Sequence, residues 1–165
     1  MDFLVFSDSH GVRGRMIDVI QRSKPDVVIH LGDGNREFED IASADKTGRI
    51  FISVKGNCDS FCFGVPSERI FTFEGKTFLA VHGHKFGVKG GTEALENYAR
   101  AKNVDIVLYG HTHIAEERHI PADENGKELY IMNPGSISAE NPVNFGTVTI
   151  KNGQVLLNTA SEEEQ

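Results

Sequence analysis

Phe3-Leu4-Val5-Phe6-Ser7-Asp8-Ser9-His10 and Asp26-Val27-Val28-Ile29-His30-Leu31-Gly32-Asp33 are two short apolar runs, each ending in a carboxylate. Between them, Val12 to Arg22 places Val12, Met16, Val19 and Ile20 on one helical face. Strands over Phe3–Ser7 and Asp26–Leu31 joined by an amphipathic helix make a βαβ unit. The unbroken apolar character of the second run suits a strand covered on both faces. Residues just beyond the carboxyl ends of parallel strands converge in space. Asp8, His10 and Asp33 therefore fall where a site would be built.

Working outward, Glu37 to Lys46 reads as a second helix with Phe38, Ile41 and Ala42 as its apolar stripe, and Ile50 to Val54 as a third strand. The pattern then changes. Arg69–Phe73 and Thr77–Val81 alternate polar and apolar residues around Glu74-Gly75-Lys76, as a hairpin does. One more crossover follows, with a helix over Thr92–Lys102 and a strand over Asp105–Tyr109. Strands over Ala115–Ile120 and Glu128–Met132 are joined across Asp123-Glu124-Asn125-Gly126, and Gly146–Lys151 and Gln154–Asn158 across Asn152-Gly153. The expected fold is α/β, a two-sheet mixed β sandwich flanked by helices. It is expected to form a single domain over residues 1–160, followed by a disordered acidic tail over 161–165.

Composition sets outer limits. A chain of 165 residues with 39% hydrophobic content is long enough to bury one continuous core. A net charge of −7 argues against tight binding to a nucleic-acid backbone, which needs a concentrated basic surface. No stretch reaches the roughly 20 apolar residues that span a bilayer. The N-terminus runs straight into a strand without a basic leader, so a cytoplasmic location is expected and no membrane partner. Cys58 and Cys62 lack zinc-knuckle spacing and are expected to be free thiols. Homo-oligomerisation stays open.

Five clusters follow apolar runs: Asp8-Ser9-His10, Gly32-Asp33, Gly56-Asn57-Cys58-Asp59, His82-Gly83-His84 and Gly110-His111-Thr112-His113. Oxygen and imidazole donors without a thiolate cluster suit mid-series divalent metals, and the number of histidines argues against Mg²⁺ or Ca²⁺ alone. Manganese leads, with Ni, Fe, Co or Zn as alternatives. Among these donors a carboxylate bridges two cations most readily, and Asp33 stands alone in its cluster. Two cations about 3.5–4 Å apart can activate a shared water and clamp phosphate oxygens, which is the chemistry of phosphoester hydrolysis.

In order and spacing, the clusters resemble the signature of the calcineurin-like metallophosphoesterase superfamily, over roughly residues 3 to 136. Gly56-Asn57-Cys58-Asp59, His82-Gly83-His84, Gly110-His111-Thr112-His113 and the following Asn133-Pro134-Gly135-Ser136 look most like its small YfcE-type phosphodiesterase branch. The resemblance implies that Asp8, His10 and His113 bind one metal, that Asn57, His82 and His111 bind a second, and that Asp33 bridges them. It further implies a bridging hydroxide as the attacking group, with Asn57 counted in the catalytic set. Where the superfamily often has His after that Asn, this chain has Cys58. A thiol with a reference pKa of about 8.5 is a weak substitute for imidazolium near neutral pH. His84 is the nearest alternative group for the leaving-group side.

Structural readings of the same residues stand beside these. Asp8 and Asp33 could cap helices. Asp59 could orient its loop rather than bind metal, and His30 and His119 read as structural. Arg13 and Arg36 read as solvated surface cations before they read as phosphate contacts. Asn133-Pro134-Gly135-Ser136 could be a plain turn or could shape the ligand loops. Two function classes result: a metal-dependent phosphodiesterase or phosphatase acting on a small phosphoester, and a non-catalytic protein-binding scaffold on the same fold, similar to the retromer subunit. Retention of the full ligand set favours the enzyme.

Overall fold

Along β1 (Asp2–Phe6) side chains alternate between two buried environments, Phe3 and Val5 facing one way, Leu4 and Phe6 the other. A strand buried on both faces belongs at the centre of a layered structure. The computed structural model describes residues 1–124, 126–139 and 142–162. β1 pairs in parallel with β2 (Val27–His30), and β2 in parallel with β3 (Ile50–Ser53), through crossovers α1 (Arg13–Ser23) and α2 (Asn35–Ala44). On its other side β1 meets antiparallel β9 (Val143–Lys151), which pairs with β10 (Gln154–Glu162), giving the order β10-β9-β1-β2-β3.

The second sheet has the order β4-β5-β6-β8-β7. Its parallel core is β5 (Lys76–Val81), β6 (Ile106–Leu108) and β8 (Leu129–Asn133), with α3 (Glu93–Ala101) crossing from β5 to β6. Antiparallel β4 (Glu68–Phe73) and β7 (Glu116–Ile120) form its edges. Phe3, Val5, Val27 and Ile29 meet Phe78, Ala80, Ile106 and Leu108 between the sheets. Leu4, Phe6 and Val28 pack beneath Met16, Val19, Ile20 and Phe38, while Leu79, Val81 and Val107 pack beneath Leu95 and Ala99. The result is the expected two-sheet mixed sandwich with helices outside.

The first hairpin turn is one residue shorter than expected, since Lys76 belongs to β5 and pairs with Phe73; Glu74-Gly75 has consecutive positive φ angles of 49° and 73°, and the expected Asn152-Gly153 turn has 53° and 76°. That handedness matches the twist of the flanking strands. Most boundaries shift by a residue or two from the sequence reading, α2 beginning at Asn35 rather than Glu37, and β9 begins three residues early, at Val143 rather than Gly146. α1 begins at Arg13, because Val12 is its flanking residue and its N–H bonds Ser9 O at 2.8 Å. Ser161 and Glu162, expected in the disordered tail, are strand residues of β10, paired with Asn144 and Val143 of the long β9. Arg22 Nη2 holds both Glu162 carboxylate oxygens at 3.0 and 2.8 Å. An edge strand needs no apolar residues on its open side, so composition hid this extension. Glu163–Gln165 of that tail and Asn125 of the β7–β8 connection lie outside the described residues.

Candidate metal centre

All five ligand clusters follow the carboxyl ends of parallel strands, β1, β2 and β3 in one sheet, β5 and β6 in the other. The two rims are stitched together by Ile137 N–H to Ser7 O (3.2 Å), His111 N–H to Asp8 Oδ2 (3.0 Å), and His82 Nδ1 to Leu31 O (2.7 Å). The loops are also held in a costly conformation. Asp8, His10, Asp33, His111 and His113 have φ of 53°, 42°, 59°, 70° and 61°. Each non-glycine residue there costs on the order of 1–2 kcal/mol, and such strain gathers at functional sites. No sequence signal announced it.

The first group is Asp8, His10 and His113, whose donor atoms lie within 4.8 Å of one another. Asp8 is fully buried; its Oδ2 accepts from Ser7 Oγ at 2.5 Å, while Oδ1 has no hydrogen-bond partner. Around that oxygen stand the Nε2 atoms of His113 at 3.1 Å and of His10 and His82 at 3.8 Å. A buried carboxylate oxygen ringed by imidazole nitrogens has the donors and the burial that suit a bound cation. Asp8 is not a helix cap, since no side chain caps α1.

Asp33, His82 and His111 form the second group. His82 Nε2 is 3.3 Å from Asp33 Oδ2, 3.0 Å from Asn57 Oδ1 and 3.2 Å from His111 Nδ1. Because Leu31 O can only accept, His82 Nδ1 carries a proton, so in the neutral ring the Nε2 lone pair faces the cluster, as a ligand requires. Burial pushes the His82 pKa down, but Asp33 and Asp8 outweigh it and raise it. Burial likewise pushes the Asp33 carboxyl up, and bonds from His82 and the Cys58 amide overcome this, holding it well below the usual carboxylate range. His10, Asp33 and Cys58 make a third, overlapping group, so Asp33 lies between the two sets. Among the described residues, the seven donors nominated from sequence are thus brought together, and they fit a divalent metal site.

Supporting residues explain how the loops hold. Asp59 accepts from the N–H groups of Asp33 (2.7 Å), Gly34 (3.0 Å), Asn35 (3.1 Å) and Gly56 (2.8 Å), and from Asn35 Nδ2 (2.6 Å). Burial raises its pKa, but the bonds from Gly56 and Asn35 prevail and lower it. Asp59 therefore orients the loops rather than joining either ligand group. Gly56 is required by close approach: a Cβ there would lie 2.1 Å from Asp33 Oδ1. Gly110 serves in the same way, since a Cβ there would stand 1.9 Å from Ser7 Oγ. Asn133 Nδ2 donates to Gly110 O (3.1 Å) and Thr112 Oγ1 (2.9 Å), and Ser136 Oγ to Asp8 O (2.9 Å), so this segment does shape the ligand loops.

His84 sits beside the second group, its ring 5.4 Å from that of His82 and 6.0 Å from that of His111. Its buried Nδ1 has no partner, and burial with His82 and Lys85 lowers its pKa. Burial and Asp33 raise the Cys58 pKa. His30 is structural: Gly32 N–H donates to Nδ1 (3.1 Å), leaving Nε2 to donate to Ser9 Oγ (2.9 Å). His119 pairs with Glu128 at 3.1 Å and stacks on Tyr130. Arg13 lies at the surface, 3.6 Å from Asp40. Arg36 lines a cleft of about 630 Å³ with His10, Asp33, Cys58, Phe61 and Phe63. Sequence reasoning passed over both phenylalanines, because a loop phenylalanine carries no periodic signal.

Comparison with known proteins agrees with this geometry. Residues 1–153 match the calcineurin-like phosphoesterase superfamily domain. A probable metallophosphoesterase of Bacillus subtilis, YsnB, is 33% identical over 141 residues, covering 83% of this chain and 75% of that protein. Phosphodiesterase YfcE of Escherichia coli K12 is 30% identical over 172 aligned positions, covering 88% and 86%. The structure of Vps29 from Entamoeba histolytica complexed with zinc superposes with a TM-score of 0.74 at 23% identity, covering 98% and 99%, and shares the fold alone. With almost the whole fold matched and the ligand loops in place, the chain belongs to the calcineurin-like phosphoesterase superfamily, whose members are metal-dependent phosphoesterases.

Proposed function

We propose that the protein is a two-metal phosphodiesterase acting on a small phosphoester, working as a single domain in the cytoplasm. Asp8, His10 and His113 hold one cation, Asn57, His82 and His111 the other, and Asp33 bridges them. The observation that carries this reading is the buried, unpartnered Asp8 Oδ1 among three imidazole nitrogens, with Asp33 next to both groups. Manganese is the first expectation, with Ni, Fe, Co or Zn also suited to the donors. The cations would supply Lewis acidity, both to activate water and to offset charge on the phosphate.

The chain's own residues set the rest. Asn57 contributes a neutral oxygen, which leaves its cation a stronger Lewis acid than a second carboxylate beside Asp33 would. The Cys58 thiol donates no proton readily near neutral pH, which favours diesters with good leaving groups over poor ones. His84, next to His82 and His111, stands where it can contact the phosphate or the departing oxygen. The free thiols of Cys58 and Cys62 suit a reducing compartment, and no helix among the described residues is long and apolar enough to cross a membrane.

Chelator-stripped protein should regain hydrolysis of bis(p-nitrophenyl) phosphate on adding Mn²⁺ or Ni²⁺, and should prefer it to p-nitrophenyl phosphate. A scaffold on this fold would hydrolyse neither ester with any metal.

A further inference from the structure

The loop after β3 carries two phenylalanines that the core does not use. Phe61 and Phe63 are 90% and 85% exposed, the highest values among the exposed large hydrophobic side chains of the described residues. Both forgo the burial through which phenylalanine normally stabilises a fold. They do not stand on an arbitrary surface. Both line a cleft of about 630 Å³ together with His10, Asp33 and Cys58, so one cavity joins the candidate metal centre to two aromatic rings. That volume falls in the usual range for small-ligand sites, which combine apolar walls with a few polar groups that fix orientation.

Charge narrows the ligand. Glu37 Oε1 is occupied by Ser9 Oγ and by Gly11 N–H, at 2.7 and 2.6 Å. Glu37 keeps its charge while accepting these bonds, so Glu37 and Glu39 of the cleft lining offset Arg36 of the same lining and Lys55 beside Phe63. The aromatic end thus has no surplus of positive charge to attract a second anionic group. Lys55 Nζ lies 5.9 Å from the Phe63 ring centroid, the reach of a cation–π contact that steadies the ring.

We propose that Phe61 and Phe63 are specificity-determining residues that stack against an uncharged planar ester arm of nucleobase size, while the phosphate of the same molecule sits at His10 and Asp33. This inference rests on the phosphodiesterase reading above and assigns its substrate class: diesters with one aromatic arm. Stacking of a base on aromatic side chains tolerates any base, because every base has a π face. The two phenylalanines therefore select for a ring and not for a sequence of hydrogen bonds.

Calorimetric titration of the manganese-loaded protein with adenosine 5′-monophosphate and ribose 5-phosphate tests this, since the two ligands share the phosphate and differ in the ring. The adenosine compound should bind about tenfold tighter or better. In Phe61→Ala/Phe63→Ala the gap should close to within about twofold, with ribose 5-phosphate affinity unchanged; Phe61→Trp/Phe63→Trp should keep it. Equal binding of the two ligands by the parent protein would overturn the inference and leave the metal reading standing, as would a gap that survives the alanine variant. Light scattering on the same samples adds a further outcome: a dimer that the alanine variant dissociates, with the gap unaltered, would reassign the rings to contact between copies. Failure of both ligands to bind would instead remove the metal reading, and this one with it.

Discussion

Asp33 accepts two demands at once, a hydrogen bond from Cys58 N–H at 2.7 Å and a place beside His82 Nε2 at 3.3 Å. If it bridges, Asp33→Ala should lose about two metal ions per chain by elemental analysis, together with diester hydrolysis; an unchanged metal content would remove it from the bridge. Cys58 offers a gain-of-function test. Cys58→His places an imidazole where the thiol stands, and should raise turnover of alkyl diesters relative to nitrophenyl diesters; an unchanged ratio would show that protonation is supplied elsewhere. His30 carries a pH-dependent load. Burial drives its pKa from 6.5 to about 4. The unfolded chain therefore binds this proton more readily than the folded one, so its contribution is complete above about pH 6.5 and declines as pH falls towards 4. The full loss is at most ~3.5 kcal/mol. Denaturant midpoints at pH 7.5 and 4.5 should differ less in His30→Gln than in the parent.

At the scale of elements, strand ends decide what the ligands can reach, and the loops must be held in left-handed backbone conformations. Gly56 and Asn133 do this without belonging to either ligand group. Gly56→Ala would push a Cβ to 2.1 Å from Asp33 Oδ1, so it should destabilise the fold by about 1–3 kcal/mol and weaken metal binding. Thermal melts with and without Mn²⁺ would measure both, and a variant with parental metal affinity would mean that the β3 loop adapts freely. Much of this level was legible beforehand. The βαβ period over residues 3–33 and the Asn152-Gly153 turn read directly, and the Glu74-Gly75 turn to within one residue, because periodicity and positive-φ chemistry are local. The end of β10 was not, since Ser161 and Glu162 take their pairing from β9 rather than from their own composition. The Asp59 cage was legible only as one of two roles, because all its donors except the nearby Gly56 come from residues 33–35, in the loop after β2.

For the whole molecule, the sandwich brings the rims of two parallel strand sets together, one giving Asp8, His10, Asp33 and Asn57, the other His82, His111 and His113. Neither sheet alone carries either ligand group: Asp8 and His10 need His113, and Asp33 needs His82 and His111. The ordered clusters made the site legible from sequence, whereas the aromatic cleft was not, because it arises from where the β3 loop comes to rest beside His10 and Asp33. The central claim is a pair of cations sharing one carboxylate, and anomalous diffraction from a crystal soaked in Mn²⁺ tests it most directly. Two peaks about 3.5–4 Å apart are expected, with the Asp33 carboxylate between them, His10 and His113 on one, and His82 and His111 on the other. A single peak, or two peaks with Asp33 bound to neither, would contradict it.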